Sequence, residues 1–331
     1  MLLRVLTSLL FLPFFAQAAP SPAVLVPRGA ADLFQMFTGE DGDCSSYSGV
    51  DTWAEDAKEM ATSGNTSLTE LLKSSVPYTQ STMIWSHTAL NMWGTEYEVP
   101  DNKEVTFPQG TNPLPQVQSV YDDILNALDT KRFTLTCGDK QWEWVKTYGD
   151  VGLEPADEPI AEYLGLDSCQ VKGLWYNTVT QRFKKESPQL LDADGNPRSE
   201  SICKNSNAFA MAFPTLQTLL LCDKLWESNV EENLAASKEA AAQVSSGTAI
   251  KDIYPRSYPV FHELLHLINR AFKDIPYTNS KGELEPGYGW KGARGVLLEG
   301  GGKELINVDN YVNYAFAASL VPQDFADGEK A

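Results

Sequence analysis

The stretch Tyr258-Pro259-Val260-Phe261-His262-Glu263-Leu264-Leu265-His266-Leu267-Ile268 constrains this chain more than any other. Proline is tolerated in a first helical turn, and none follows Pro259 until Pro276, so one helix is expected here. Phe261, Leu264, Leu265, Ile268 and Phe272 give that helix a buried side. His262 and His266 stand four residues apart, so both imidazoles leave one face, one turn apart. Nitrogens placed in this way can reach a single ion at ~2.0–2.1 Å. The fold must therefore cover one side of the helix and leave the other open.

Glu263, offset by one residue, falls beside such an ion rather than on it. There it can take a proton from a water held by the metal and pass it to a leaving amine. Zinc lowers the pKa of that water from ~15.7 to about 7 and polarises a carbonyl, so these parts imply a hydrolase. The chain has only three histidines, and His87 stands far upstream without metal spacing, which reads as an ordinary packed or solvated side chain. A catalytic zinc takes three protein ligands plus water, so the third is expected to be a carboxylate. Asp274, Glu285, Glu299 and Asp309 are the downstream candidates. Glu285 sits in a Leu284-Glu285-Pro286-Gly287 turn rather than a helix. Asp309 opens an amphipathic helical segment over 307–317, with Val308, Val312, Ala315 and Phe316 on the core and Asp309 and Tyr311 toward the cleft.

The N-terminus reads as a secretory signal peptide over residues 1–18: Arg4, an apolar run from Val5 to Phe15, then Ala16-Gln17-Ala18. Arg28 is a conceivable propeptide boundary. No later run approaches the ~20 apolar residues of a membrane span. With 26 Lys and Arg against 44 Asp and Glu, the net charge is −18, which repels phosphate backbones and anionic membranes. Nucleic acid and membrane are therefore not expected partners. Cys44, Cys137, Cys169, Cys203 and Cys222 lie beyond the signal, and an oxidising compartment would pair four of them in an order the sequence leaves open. Asn65-Thr66-Ser67 is a glycosylation sequon in keeping with secretion.

Residues 44–72 read as helical, interrupted at Gly64, and residues 75–115 as loops and short strands. A helix is expected from Pro115 through Leu128, a half-buried strand over 132–137, an apolar strand over 216–222 and a helix over 229–244. Asp192-Ala193-Asp194-Gly195-Asn196-Pro197 faintly matches a calcium loop, but Pro197 and the missing glutamate favour a surface turn. Glu299-Gly300-Gly301-Gly302 lacks the Lys-Ser/Thr of a phosphate loop and reads as a connection. Nothing demands a split, so one domain is expected over 19–331, helical over about 40–130 and catalytic over about 200–320.

The His262–His266 helix, followed by Tyr288-Gly289-Trp290 and Asn307-Val308-Asp309-Asn310-Tyr311, resembles the aspzincins. These are secreted fungal metallopeptidases of the deuterolysin and peptidyl-lysine metallopeptidase kind. The resemblance covers about 200–318 and includes Cys203 and Cys222, set like a disulfide-bearing strand upstream of the metal helix. It implies an α+β zincin-like fold, with a small sheet against the metal helix and a cleft at the sheet's edge strand. It also implies one zinc held by His262, His266 and Asp309, with Glu263 as general base. Tyr311, or else Tyr314, would assist at the oxyanion. The function so implied is a secreted, monomeric endopeptidase acting on protein or peptide substrates. The alternative is a secreted or surface protein that binds zinc without catalysis.

Overall fold

The computed structural model describes residues 29–37, 42–99, 104–107, 112–166 and 171–331, so the signal-peptide reading, Arg28 and Cys169 lie outside the described residues. The described chain is mixed α/β. Seven helices of ten residues or more organise it: α1 Val50–Leu71, α2 Gln80–Trp93, α3 Leu114–Asp129, α4 Leu234–Gln243, α5 Ser257–Ile268, α6 Gly289–Glu299 and α7 Val308–Ser319. A four-stranded sheet runs in the order β1 (Gln35–Met36), β2 (Thr134–Cys137), β4 (Thr218–Leu221), β3 (Ala210–Phe213). The first three strands are parallel, and β3 returns antiparallel as the edge, with Ala210 opposite Leu221 and Phe213 opposite Thr218. Trp142–Val145, Leu174–Asn177 and Arg182–Lys184 form a separate antiparallel sheet.

Helix α7 is the axis of the molecule. Every residue from Val308 to Ser319 is buried, and α1, α2, α5 and α6 pack around it. The amphipathic reading of this segment is thus corrected: it has no solvent face. Its polar side chains are tolerated because neighbouring elements satisfy them, Asp309 Oδ2 excepted, which has only an ionic approach to His262. Asn310 Nδ2 donates to Met92 O (2.6 Å) and Ala293 O (3.2 Å), tying α7 to α2 and α6. Tyr314 meets Ser67 Oγ of α1 at 2.9 Å.

Helix α1 runs unbroken through Gly64, where an interruption was expected. A Cβ there would stand 2.9 Å from the Tyr121 ring, so glycine serves close helix packing rather than termination. The expected loop over 75–115 contains α2, started by a reciprocal cap in which Thr79 Oγ1 accepts from Thr82 N (3.1 Å) and Thr82 Oγ1 accepts from Thr79 N (2.9 Å). The sequon lies within α1: Asn65 Nδ2 donates to Asp122 (2.8 Å) and Ser67 is fully buried.

Two disulfides, Cys44–Cys137 and Cys203–Cys222, pin the turn before α1 to β2 and the short helix Ile202–Ser206 to the end of β4. The second covers a small apolar cluster with Trp142, Trp175, Phe213 and Leu220. Helix α5 lies between the β3–β4 edge of the sheet and the helices α1, α3 and α7, which gives it one covered side and one open side. Among the described residues no helix is long and apolar enough to cross a membrane.

Candidate metal centre

On α5 the apolar residues Val260, Phe261, Leu264, Leu265 and Leu267 are buried, as their spacing requires, and His262 and His266 share the remaining face. After Asn269 the chain turns back sharply. His266 Nδ1 meets Phe272 O at 3.2 Å, and Lys273 pairs with Asn307 in a parallel bridge. Asn307 Oδ1 accepts from Ile275 N (3.0 Å), so the start of α7 fixes residues on both sides of Asp274.

Asp274 Oδ1 then lies 3.0 Å from His262 Nε2 and 3.3 Å from His266 Nε2, and the two Nε2 atoms are 3.3 Å apart. The edge of a ligand tetrahedron around a metal at ~2.0–2.1 Å is ~3.3–3.4 Å, so the triangle has the size of a coordination face. Tautomers assigned from the nearest oxygen to each Nδ1 support the same reading. His266 Nδ1 faces a carbonyl, and His262 Nδ1 faces Asp309 Oδ2 at 3.2 Å, so each ring's proton belongs on Nδ1. Both Nε2 lone pairs and a carboxylate oxygen then converge, an arrangement that favours a positive charge between them, proton or metal. His262, His266 and Asp274 together could hold a metal ion.

Asp309, expected as the third ligand, is elsewhere. It stands on the Nδ1 side of His262, 1% exposed, with Oδ1 accepting from Tyr258 OH (2.9 Å) and Gly289 N (2.7 Å). It orients the ring rather than joining the triangle, because α7 passes behind α5. Tyr311, expected at the oxyanion, is also misplaced. It is fully buried, packs on Trp93 and Phe272, and donates to Leu305 O (2.9 Å). Tyr314 is equally internal. The tyrosine that reaches the site is Tyr288, 54% exposed, whose OH donates to Asp274 Oδ2 (3.0 Å) and whose ring lies 5.9 Å from that of His262. Sequence reasoning quoted Tyr288 without giving it a role. Its only signal was its place in the quoted Tyr288-Gly289-Trp290 stretch, next to the glycine whose N–H Asp309 accepts.

Glu263 is half-buried, and its Oε2 accepts the outward N–H of Ala212 on edge strand β3 (2.7 Å). Burial raises its pKa above the ordinary carboxyl value, and the two histidines restrain the rise. Burial disfavours charge on His262, but the Asp309 and Asp274 carboxylates outweigh it and hold its pKa well above the usual range. Asp274 is moved the other way: burial opposes its charge, yet the two histidines hold it far below the usual carboxylate range. The site therefore attracts positive charge, as proton or as metal.

The other candidates lie apart. Glu285 is tied to Tyr277, Asn279 and Lys291, Glu299 pairs with Lys303, and His87 faces Asp327 at 3.3 Å. Asp192 Oδ1 accepts from Asp194 N and Asn196 N, a self-contained turn.

A cleft of about 560 Å³ opens on the N-terminal half of α5 and is lined by His262, Glu263, Tyr288 and Asp309. A second hollow of about 810 Å³ shares Tyr288 and Gly289 with it. In comparisons with known proteins, no family model, no curated protein and no solved structure matches this chain.

Proposed function

We propose that the chain is a secreted zinc endopeptidase of zincin-like architecture, related to the aspzincins. The observation that carries the reading is the convergence of two bare imidazole nitrogens and a carboxylate oxygen beside a half-buried glutamate. The donor set is still two histidines and an aspartate, as the resemblance implies, with Asp274 in the place expected of Asp309. Two imidazoles and one carboxylate suit zinc and leave a position open. When bound, zinc supplies Lewis acidity that makes water acidic near neutral pH and polarises a carbonyl.

Glu263 accepts the proton of the attacking water and returns it to the departing amine; its raised pKa brings it nearer the operating range of such a shuttle. Tyr288 OH donates to the oxyanion as charge develops there, having turned from Asp274 Oδ2. Asp309 keeps His262 in the tautomer that presents Nε2. A second hollow that shares Tyr288 and Gly289 with the cleft supports an internal bond as the target.

Hydrolysis of an unfolded protein substrate is expected from the zinc-loaded protein, to vanish with a chelator and to return with zinc. Activity that persists in the chelated, metal-free protein would contradict the reading. Tyr288→Phe is expected to lower kcat about 10²-fold with little change in KM. An equal effect on KM alone would make Tyr288 a binding residue instead.

A further inference from the structure

The cleft beside His262 and Glu263 is walled largely by Phe209, Leu225, Val230, Tyr254 and Tyr258, with one cation among them, Lys224. Its Nζ donates to Asn207 Oδ1 (2.8 Å) and Asn207 O (3.0 Å) and lies 4.5 Å from the centre of the Phe209 ring. All three contacts are neutral. Asp223, next to it in sequence, accepts instead from Tyr47 OH, and no carboxylate forms an ion pair with Lys224 among the described residues. Arg256, which does not line the cleft itself, repeats the pattern behind a lining residue. Its Nη2 donates to the backbone oxygen of Ser228, a lining residue, while Nε is buried without a partner and no carboxylate pairs with it among the described residues.

In a chain with 44 acidic and 26 basic residues, the one lysine lining the cleft, and the arginine behind it, are thus held in place without a carboxylate partner among the described residues. Neutral acceptors fix the position of an ammonium but leave its charge unpaired, and a half-buried unpaired charge favours an incoming anion. An ammonium has three donors, and two of those on Lys224 are used.

We infer that this end of the cleft is a subsite for a carboxylate on the substrate. Lys224 receives the charged group, and Phe209 and Leu225 receive the methylenes that carry it. An acidic side chain is the favoured source, because the second hollow that shares Tyr288 and Gly289 offers room for an internal segment. The inference rests on the peptidase reading for its substrate, and it concerns recognition rather than the reaction.

The test scans Glu against Gln at three positions on each side of the cleaved bond, and free C-terminal carboxylate against amide. Two readouts are taken. Wild-type protein gives the ratio of kcat/KM values, and zinc-loaded Glu263→Gln protein gives the ratio of peptide affinities by fluorescence anisotropy. A preference of about tenfold for Glu at one position is expected in both. It should fall to within twofold in Lys224→Gln and survive in Lys224→Arg. A preference that follows only the chain-end carboxylate assigns the same subsite to a C-terminus. Ratios near one at every position, or a preference unchanged in Lys224→Gln, overturn the inference. Should wild type hydrolyse nothing while the Glu peptide still binds about tenfold tighter through Lys224, the subsite stands and the peptidase reading falls. If no peptide binds, the subsite falls as well.

Discussion

The two nitrogens of His262 have separate partners: Nε2 faces His266 and Asp274, and Nδ1 faces Asp309. A carboxylate behind a ligating imidazole fixes its tautomer and raises its basicity, and losing one typically costs 10–100-fold in metal affinity. Losing a ligand itself costs more. Asp274→Ala is therefore expected to weaken zinc binding by well over 10²-fold and Asp309→Ala by about 10–100-fold, measured by competition with a chromophoric chelator. The reverse order would restore Asp309 as the ligand. The histidine pair was legible because four-residue spacing is local geometry. The third member was not, because its position depends on how residues 269–273 fold back and on the Asn307 contact that holds them. Tyr311 misled for a related reason: its helix is buried on every side, so periodicity could not say which side meets the cleft.

Among the elements, α1 and α4 are joined by a buried carboxylate with a measurable signature. Asp56 on α1, 7% exposed, accepts from Leu234 N at the start of α4 (2.8 Å). Burial raises its pKa from 3.8 to about 6, against the opposing hydrogen bond from Leu234 N. The folded state therefore holds this proton more tightly than the unfolded one. The stability it contributes is present below about pH 4 and is lost as pH rises through about 6. Asp56→Asn removes that slope, so relative to wild type it should gain about 2–3 kcal/mol across the window in denaturant unfolding. A difference that stays flat with pH would show that Asp56 is not perturbed. Where an element has one wet face, as in α3, hydrophobic spacing located it within a few residues; β2 was located as closely but is buried on both faces, with Thr136 3% exposed, rather than half-buried as expected. The long helix α2 escaped because it is buried on several sides and carries no clean stripe; its Thr79–Thr82 cap was the available signal. Gly64 was read as a stop because sequence alone cannot show the Tyr121 ring that requires its missing side chain.

At the scale of the whole molecule, α7 and its shell of helices hold one side of α5, and the sheet edge holds the other, with Glu263 bridging to β3 through Ala212. Net charge and the cysteine count pointed to a disulfide-bearing, acidic protein, and the two disulfides answer that expectation without fixing its location. The pairing itself needed the fold, since Cys44 and Cys137 lie 93 residues apart. The central claim is that this frame presents a base beside a metal, and Glu263→Gln tests it most directly. Glutamine keeps the size of the side chain and its capacity to accept from Ala212 N, but it cannot take a proton. Zinc content by elemental analysis and hydrolysis of an unfolded protein should be measured on the same preparations of wild type and variant. About one zinc per chain in both, with hydrolysis reduced by at least about 10²–10⁴-fold in the variant, is the predicted result. Equal hydrolysis by both, or none by zinc-loaded wild type, would contradict it.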